Sequence, residues 1–102
     1  MNPDVIIIGG GPAGLSFACS LAHTDLNVTV YEKLAEEELA EPPVDGRDIA
    51  LTHLSVKILK ELGAWSRIPD DAISPIKEAR VLDGTSPYFL HFDHRKIEHE
   101  AL

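Results

Sequence analysis

Residues 4–32 read DVIIIGGGPAGLSFACSLAHTDLNVTVYE, and the order of their physical properties predicts strand, glycine turn, helix, strand and a terminal acid. Val5–Ile8 is an apolar run without alternation, the pattern of a strand buried on both faces of a parallel sheet. Gly9, Gly11 and Gly14 follow it in a G-x-G-x-x-G arrangement, and seventeen residues separate Gly14 from Glu32. That is about the spacing of a dinucleotide-binding βαβ unit. Gly9 would let the chain turn sharply out of the strand. Gly11, without a Cβ, would let the backbone approach a pyrophosphate, and Gly14, with Ala18 one turn on, would keep the helix close to the sheet. Pro12 suits a first helical turn, where its missing N–H costs nothing.

Charge narrows the way a phosphate would be held. The first 32 residues contain neither Lys nor Arg, which excludes a P-loop with its lysine. Binding would rest on helix-end N–H groups and the helix dipole, roughly half a positive charge at the N-terminus. Glu32, ending the second predicted strand Asn27–Tyr31, can accept hydrogen bonds from the hydroxyls of an adenosine ribose. An acid there favours NAD or FAD and repels the 2′-phosphate of NADP. The competing reading is a strand–helix turn with incidental glycines and a solvated Glu32.

Outward from this stretch, 102 residues allow one domain at most, and a hydrophobic content of 44% is ordinary for a globular chain. Only two parallel-type strands are visible, so the expected fold class is α/β, an incomplete domain with exposed apolar sheet edges. The net charge of −8 is uneven: residues 1–45 hold eight acids and one base, residues 46–102 nine acids and eight bases. Nucleic acid is excluded as a partner, since its phosphates require basic patches. Cys19, the single cysteine, excludes an internal disulfide, and its place in the first helix reads as a small buried residue rather than a reactive thiol. The apolar N-terminal run lacks a basic flank and is too short for a signal peptide or a membrane span, which makes a cytoplasmic location the expectation.

Residues 33–49, KLAEEELAEPPVDGRDI, read as an acidic solvated loop or frayed turn. A helix is expected over residues 50–64, with Leu51, Leu54, Ile58, Leu59 and Leu62 on one face and Gly63 as its C-cap. Trp65 reads as packing over the helix end, with stacking on a ligand ring as the alternative. Residues 76–93 predict an antiparallel hairpin, Lys77–Leu82 and Tyr88–Phe92, around the Asp83-Gly84 turn signal. His91, His94 and His99 have acids between them, but spacings of two and four residues match no compact zinc pattern, and no metal ligand is assigned.

GGGPAG, then Glu32, then DGRDIALTHLSVKILKELGAW, then SPYFLHFD: this order resembles the FAD-dependent aromatic hydroxylases of ubiquinone biosynthesis, the UbiH/UbiF/Coq6 group of the class A flavoprotein monooxygenases. The resemblance covers essentially the whole chain as an N-terminal portion. It implies FAD as cofactor, NAD(P)H as reductant, and hydroxylation of an aromatic, polyprenylated phenol by the full-length enzyme. It also implies pyrophosphate contacts at Gly9, Gly11 and Gly14, with Pro12, Ala13 and Lys33 beside the cofactor. Glu32 would then meet the ribose, and Arg47 would lie near the FAD. From the residues alone Arg47 reads as a surface or helix-entry side chain, with a charge partner for a bound diphosphate as the alternative. No catalytic residue is expected within residues 1–102, and the family's later Asp-Gly and Gly-Asp segments should fall beyond them. Greasy substrates imply access to a bilayer or contacts with ubiquinone-biosynthesis proteins. The alternatives are another FAD- or NAD-dependent oxidoreductase, or a truncated nucleotide-binding module without catalysis.

Overall fold

The computed structural model describes residues 2–102. They divide into two compact units, residues 2–50 and 51–102. Each unit carries its own two-stranded sheet.

In the first unit, β1 (Val5–Ile8), α1 (Pro12–Ser20) and β2 (Val28–Tyr31) make the βαβ unit. The strands pair in parallel, Val5 opposite Val28 through Ile8 opposite Tyr31. The ladder reaches past both ends of β1: the N–H of Asp4 donates to the carbonyl of Asn27 at 2.8 Å, and that of Gly9 to Tyr31 at 2.8 Å. Asn27 itself lies just outside β2, its N–H donating to the Asp4 carboxylate at 2.7 Å instead of to the ladder.

Burial among the described residues falls on one face of β1. Ile7 is the one buried hydrophobic side chain among the described residues, 8% exposed, whereas Ile8 is 80% exposed. Ile7 points to the side of Gly14, so α1 covers that face of the strand and no element of this unit covers the other. Cys19 is likewise exposed, because a two-stranded sheet covers only one stripe of α1.

Part of the stretch read as an acidic loop is helical, α2 (Glu36–Ala40). Glu38 accepts from the Ala35 N–H at 3.0 Å, and three glutamates occupy the first turn, where the helix dipole favours negative charge. Solvated acids can therefore be helical for one turn without any apolar face.

The second unit begins with α3 (His53–Glu61). It is shorter than the apolar periodicity implies, because Thr52 stops it: the Thr52 hydroxyl accepts from the Ser55 N–H at 3.2 Å, a side-chain N-cap. Gly63, at φ +75°, ends it. The Gly63 N–H donates to Lys60 at 3.1 Å and the Ala64 N–H to Leu59 at 2.9 Å, the paired bonds of a Schellman turn. Within the expected apolar face, Leu51, Leu59 and Leu62 are partly covered while Leu54 and Ile58 are exposed. Trp65 starts a single 3-10 turn and folds back so that the Lys60 ammonium lies 5.9 Å from its ring centre.

The antiparallel hairpin consists of β3 (Glu78–Leu82) and β4 (Phe89–Asp93), with Leu82 opposite Phe89 and Glu78 opposite Asp93. The connection is one residue longer than expected, since Tyr88 belongs to the turn, its N–H donating to the Ser86 hydroxyl at 3.2 Å. After β4, Asp93 caps a 3-10 turn, His94–Ile97. The chain end returns to Ile76, whose carbonyl accepts from Leu102 at 2.7 Å.

Candidate functional site: a glycine turn facing a helix N-terminus

The three glycines of the fingerprint, two in the turn after β1 and one in the first turns of α1, play different parts. Gly9 has φ +105°, a conformation open to few residues besides glycine, and turns the chain out of the strand. Gly14 has ordinary dihedrals but no room: a Cβ there would lie 2.1 Å from the Gly9 carbonyl oxygen and 3.3 Å from Ile7 Cγ2. The tightest constraint on Gly14 is thus the turn itself, with the strand face second. Gly11 differs from both. Its φ of −78° and ψ of −176° suit any residue, and a Cβ there would meet nothing within 4 Å.

Among the described residues, no packing contact requires glycine at position 11. The space in front of it is the cradle that a Cβ would fill, and it lies at the N-terminus of α1. Gly11 is the N-cap, with no side chain to cap the helix, and Pro12 stands in the first turn. The first N–H of the helix to find a partner is that of Leu15, which donates to Gly11 at 2.9 Å. Among the described residues, the N–H groups of Gly11, Ala13 and Gly14 have no acceptor. Free helix-end N–H groups beside empty space form an anion site, and the glycines and helix end fit a diphosphate.

Glu32 follows the end of β2 and its carboxylate reaches back to the turn. One oxygen accepts from the Gly10 N–H at 2.6 Å, and the other accepts from the Leu34 N–H at 2.9 Å. These donors, Gly10 first, hold the Glu32 carboxyl below its ordinary range, and Lys33 adds a smaller attraction. An ionised carboxylate with two N–H partners keeps further lone pairs for ribose hydroxyls. Gly10 is the residue that the motif reading overlooked, because the fingerprint leaves its position open; a third consecutive glycine was the available signal.

Arg47 is not joined to this cluster by any hydrogen bond among the described residues. Its backbone N–H and Nε donate to Asp45 at 3.0 and 2.6 Å, and its guanidinium is 83% exposed. The pairing raises the Arg47 pKa and lowers that of Asp45. Pro12, Ala13 and Lys33 are exposed around the turn.

The histidines take other parts. His91 Nε2 lies 3.4 Å from the Glu78 carboxylate, and with Asp93 the two bring potential ligand atoms within 4.8 Å of one another. His94 and His99 are elsewhere: His94 Nδ1 bonds the His99 carbonyl at 2.7 Å, and the His99 ring stacks on His53 at 4.5 Å. Arginines balance the carboxylates of the cluster. Arg80 lies 3.6 Å from Glu78, and Arg95 grips both Asp93 oxygens, at 2.9 and 3.0 Å through Nε and through a further short bond from its terminal nitrogen.

A family model described as an NAD(P)-binding Rossmann-like domain matches residues 7–36, the span from β1 through the glycine turn to Glu32 and the start of α2. The chain is 49% identical over 92 residues to the ubiquinone hydroxylase UbiM of Neisseria meningitidis, covering 90% of this chain and 20% of that protein. Its sequence kinship is with the ubiquinone-biosynthesis hydroxylases. Ubiquinone hydroxylase UbiL of Rhodospirillum rubrum is 37% identical over 89 residues, 87% of this chain and 20% of that protein. A flavin-dependent oxygenase, ucdD of Aspergillus ustus, is 40% identical over 65 residues, 64% of this chain and 10% of that protein. The chain spans about a fifth of the length of the ubiquinone hydroxylases it matches. No described helix is long and apolar enough to cross a membrane.

Proposed function

We propose that this chain supplies the adenosine-diphosphate half of an FAD site in an NAD(P)H- and O₂-dependent monooxygenase that hydroxylates an aromatic ring of a ubiquinone precursor. The observation that carries the reading is Gly11: a glycine required neither by its dihedrals nor by its neighbours, placed before free helix-end N–H groups. A pyrophosphate explains it, because phosphate oxygens must come close to the backbone there. The names of the ubiquinone hydroxylases and of the flavin-dependent oxygenase support the reaction class.

In this reading the N–H groups of Gly11, Ala13 and Gly14 hold the pyrophosphate without a lysine, and Pro12 keeps the first turn in helical form. Glu32 accepts from the adenosine ribose with the lone pairs that Gly10 and Leu34 leave free. Arg47 offers a mobile positive charge once released from Asp45, and Lys33 a second one beside the acid. Bound flavin would supply the redox chemistry and the activation of oxygen. The residues of this chain bind and orient the cofactor, and none of them moves a proton on the substrate.

The NAD(P)-binding match over residues 7–36 favours a second reading, in which NAD occupies the same cradle, since Glu32 would suit either ribose. Titrating the protein with FAD and with NAD, read by flavin fluorescence quenching and by protection against thermal unfolding, separates them. FAD should bind with the higher affinity and raise the unfolding temperature. Protection by NAD and none by FAD would transfer the site to the nicotinamide cofactor.

A further inference from the structure

We infer that Glu32 is a positioning residue that holds the glycine turn in its binding form before any ligand arrives, and that Gly10 is glycine to let it do so. The Gly10 N–H donates to the Glu32 carboxylate at 2.6 Å across 22 residues of chain, tying the end of β2 to the middle of the turn. Gly10 is buried, and a Cβ added to it would lie 3.1 Å from Glu32 Cβ and Cγ and 3.3 Å from the bonded carboxylate oxygen. Those contacts are tighter than ordinary van der Waals distance, so alanine at position 10 requires the Glu32 side chain to give by a few tenths of an ångström. Gly10 therefore has a reason distinct from those of its three neighbours. Its N–H, already engaged by Glu32, is not among those free for a phosphate.

The second carboxylate oxygen accepts from the Leu34 N–H, so one side chain fixes both the turn after β1 and the chain leaving β2. Among the described residues, Lys33 is the one cation set against Glu32. Charge-assisted bonds of this kind are stronger than neutral ones, and they depend on the carboxylate staying ionised. Ribose recognition and phosphate-loop geometry then share one acid: a substitution meant to alter the ribose also loosens the phosphate cradle. The ligand arm of the test rests on the FAD reading, whereas the loop arm does not.

The decisive measurement is amide hydrogen exchange on the peptide spanning residues 6–14 of the ligand-free protein, for wild type, Gly10→Ala, Glu32→Ala and the double variant. Each single variant should exchange faster there, on the order of three- to tenfold, with the hairpin peptide 78–93 unchanged. The double variant should be no faster than the faster single one, because both remove the same bond. Glu32→Gln has one carbonyl for two N–H donors and should restore part of the protection. In the wild type, the Gly10 amide chemical shift should follow the ionisation of Glu32 as pH is lowered. Wild-type exchange in Glu32→Ala, or additive effects in the double variant, would overturn the inference. Should Glu32→Ala exchange throughout the chain, the wild-type Gly10 titration decides, and its absence refutes the bond. In the ligand arm, Glu32→Ala should weaken 2′,3′-dideoxyadenosine diphosphate, which lacks the ribose hydroxyls, as well as FAD. Loss of FAD binding alone would overturn the shared role, and failure of the wild type to bind either ligand, with the exchange pattern intact, would remove the FAD reading and leave the positioning role standing.

Discussion

Adding one methyl group at Gly11 should separate the needs of the fold from those of the ligand. At φ −78° and ψ −176°, alanine fits without backbone strain, and its Cβ would find no atom within 4 Å. Loss of unfolded-state freedom should stabilise the variant by about 0.4–1 kcal/mol. Against this, alanine is a poorer N-cap than glycine by roughly 0.5–1 kcal/mol. The two nearly cancel, so Gly11→Ala should leave unfolding within about 0.5 kcal/mol of wild type. Gly14→Ala is the contrast: its Cβ at 2.1 Å from the Gly9 carbonyl forces the turn to move, costing about 1–3 kcal/mol. Urea unfolding of the ligand-free protein measures both, and flavin fluorescence quenching measures FAD affinity in parallel. Gly11→Ala should weaken FAD with stability preserved, and Gly11→Val should abolish binding, because its side chain fills the phosphate path. A Gly11→Ala variant as unstable as Gly14→Ala would show a constraint within the protein itself, and tight FAD binding by Gly11→Val would refute the cradle.

The other predictions concern the second unit. Thr52→Ala removes the hydroxyl that accepts from Ser55 and should cost about 1 kcal/mol in urea unfolding, with Thr52→Ser close to wild type. Gly63→Ala, at φ +75°, should destabilise by roughly 1 kcal/mol, and Gly63→Asn by less, since asparagine tolerates the left-handed region better. Asp93 is held well below its ordinary value of 3.8 by the Arg95 side chain first and its N–H second. A depressed carboxyl contributes its stability fully above that ordinary value and loses it as pH falls through the lower folded value. Asp93→Asn should therefore melt below wild type at neutral pH, and the difference should shrink as pH drops below about 3.8. A difference independent of pH would assign the effect to packing.

How far the site was legible depends on which residue is asked. Gly9, Gly14 and Glu32 stand out in the one-dimensional pattern because each spacing reflects a rigid element between them: four strand residues, one helix, one strand. Gly10 does not stand out, because its reason is a side chain 22 positions away, which no local spacing records. The family resemblance implies Arg47 beside a bound cofactor, and in the structure its guanidinium pairs with Asp45. Two residues of separation favour that local pair, and an exposed pair of this type is weak enough to exchange for another anion.

Local chemistry was sufficient for the elements whose stabilising contacts are near in sequence. The βαβ order, the helix ending at Gly63 and the hairpin around Asp83-Gly84 follow from glycine dihedrals and from hydrophobic period. Tertiary structure decided what these rules leave open. It covers Ile7 but not Ile8, because burial depends on which layers are present and not on the hydrophobicity of the strand. It gives the glycines separate duties, since a turn conformation, a carbonyl in the place of a Cβ, a carboxylate and empty space are distinguishable only once the chain has folded back on itself. The sequence determined where the glycine fingerprint begins and ends; the fold determined which of its glycines serve the described packing and which one that packing does not require.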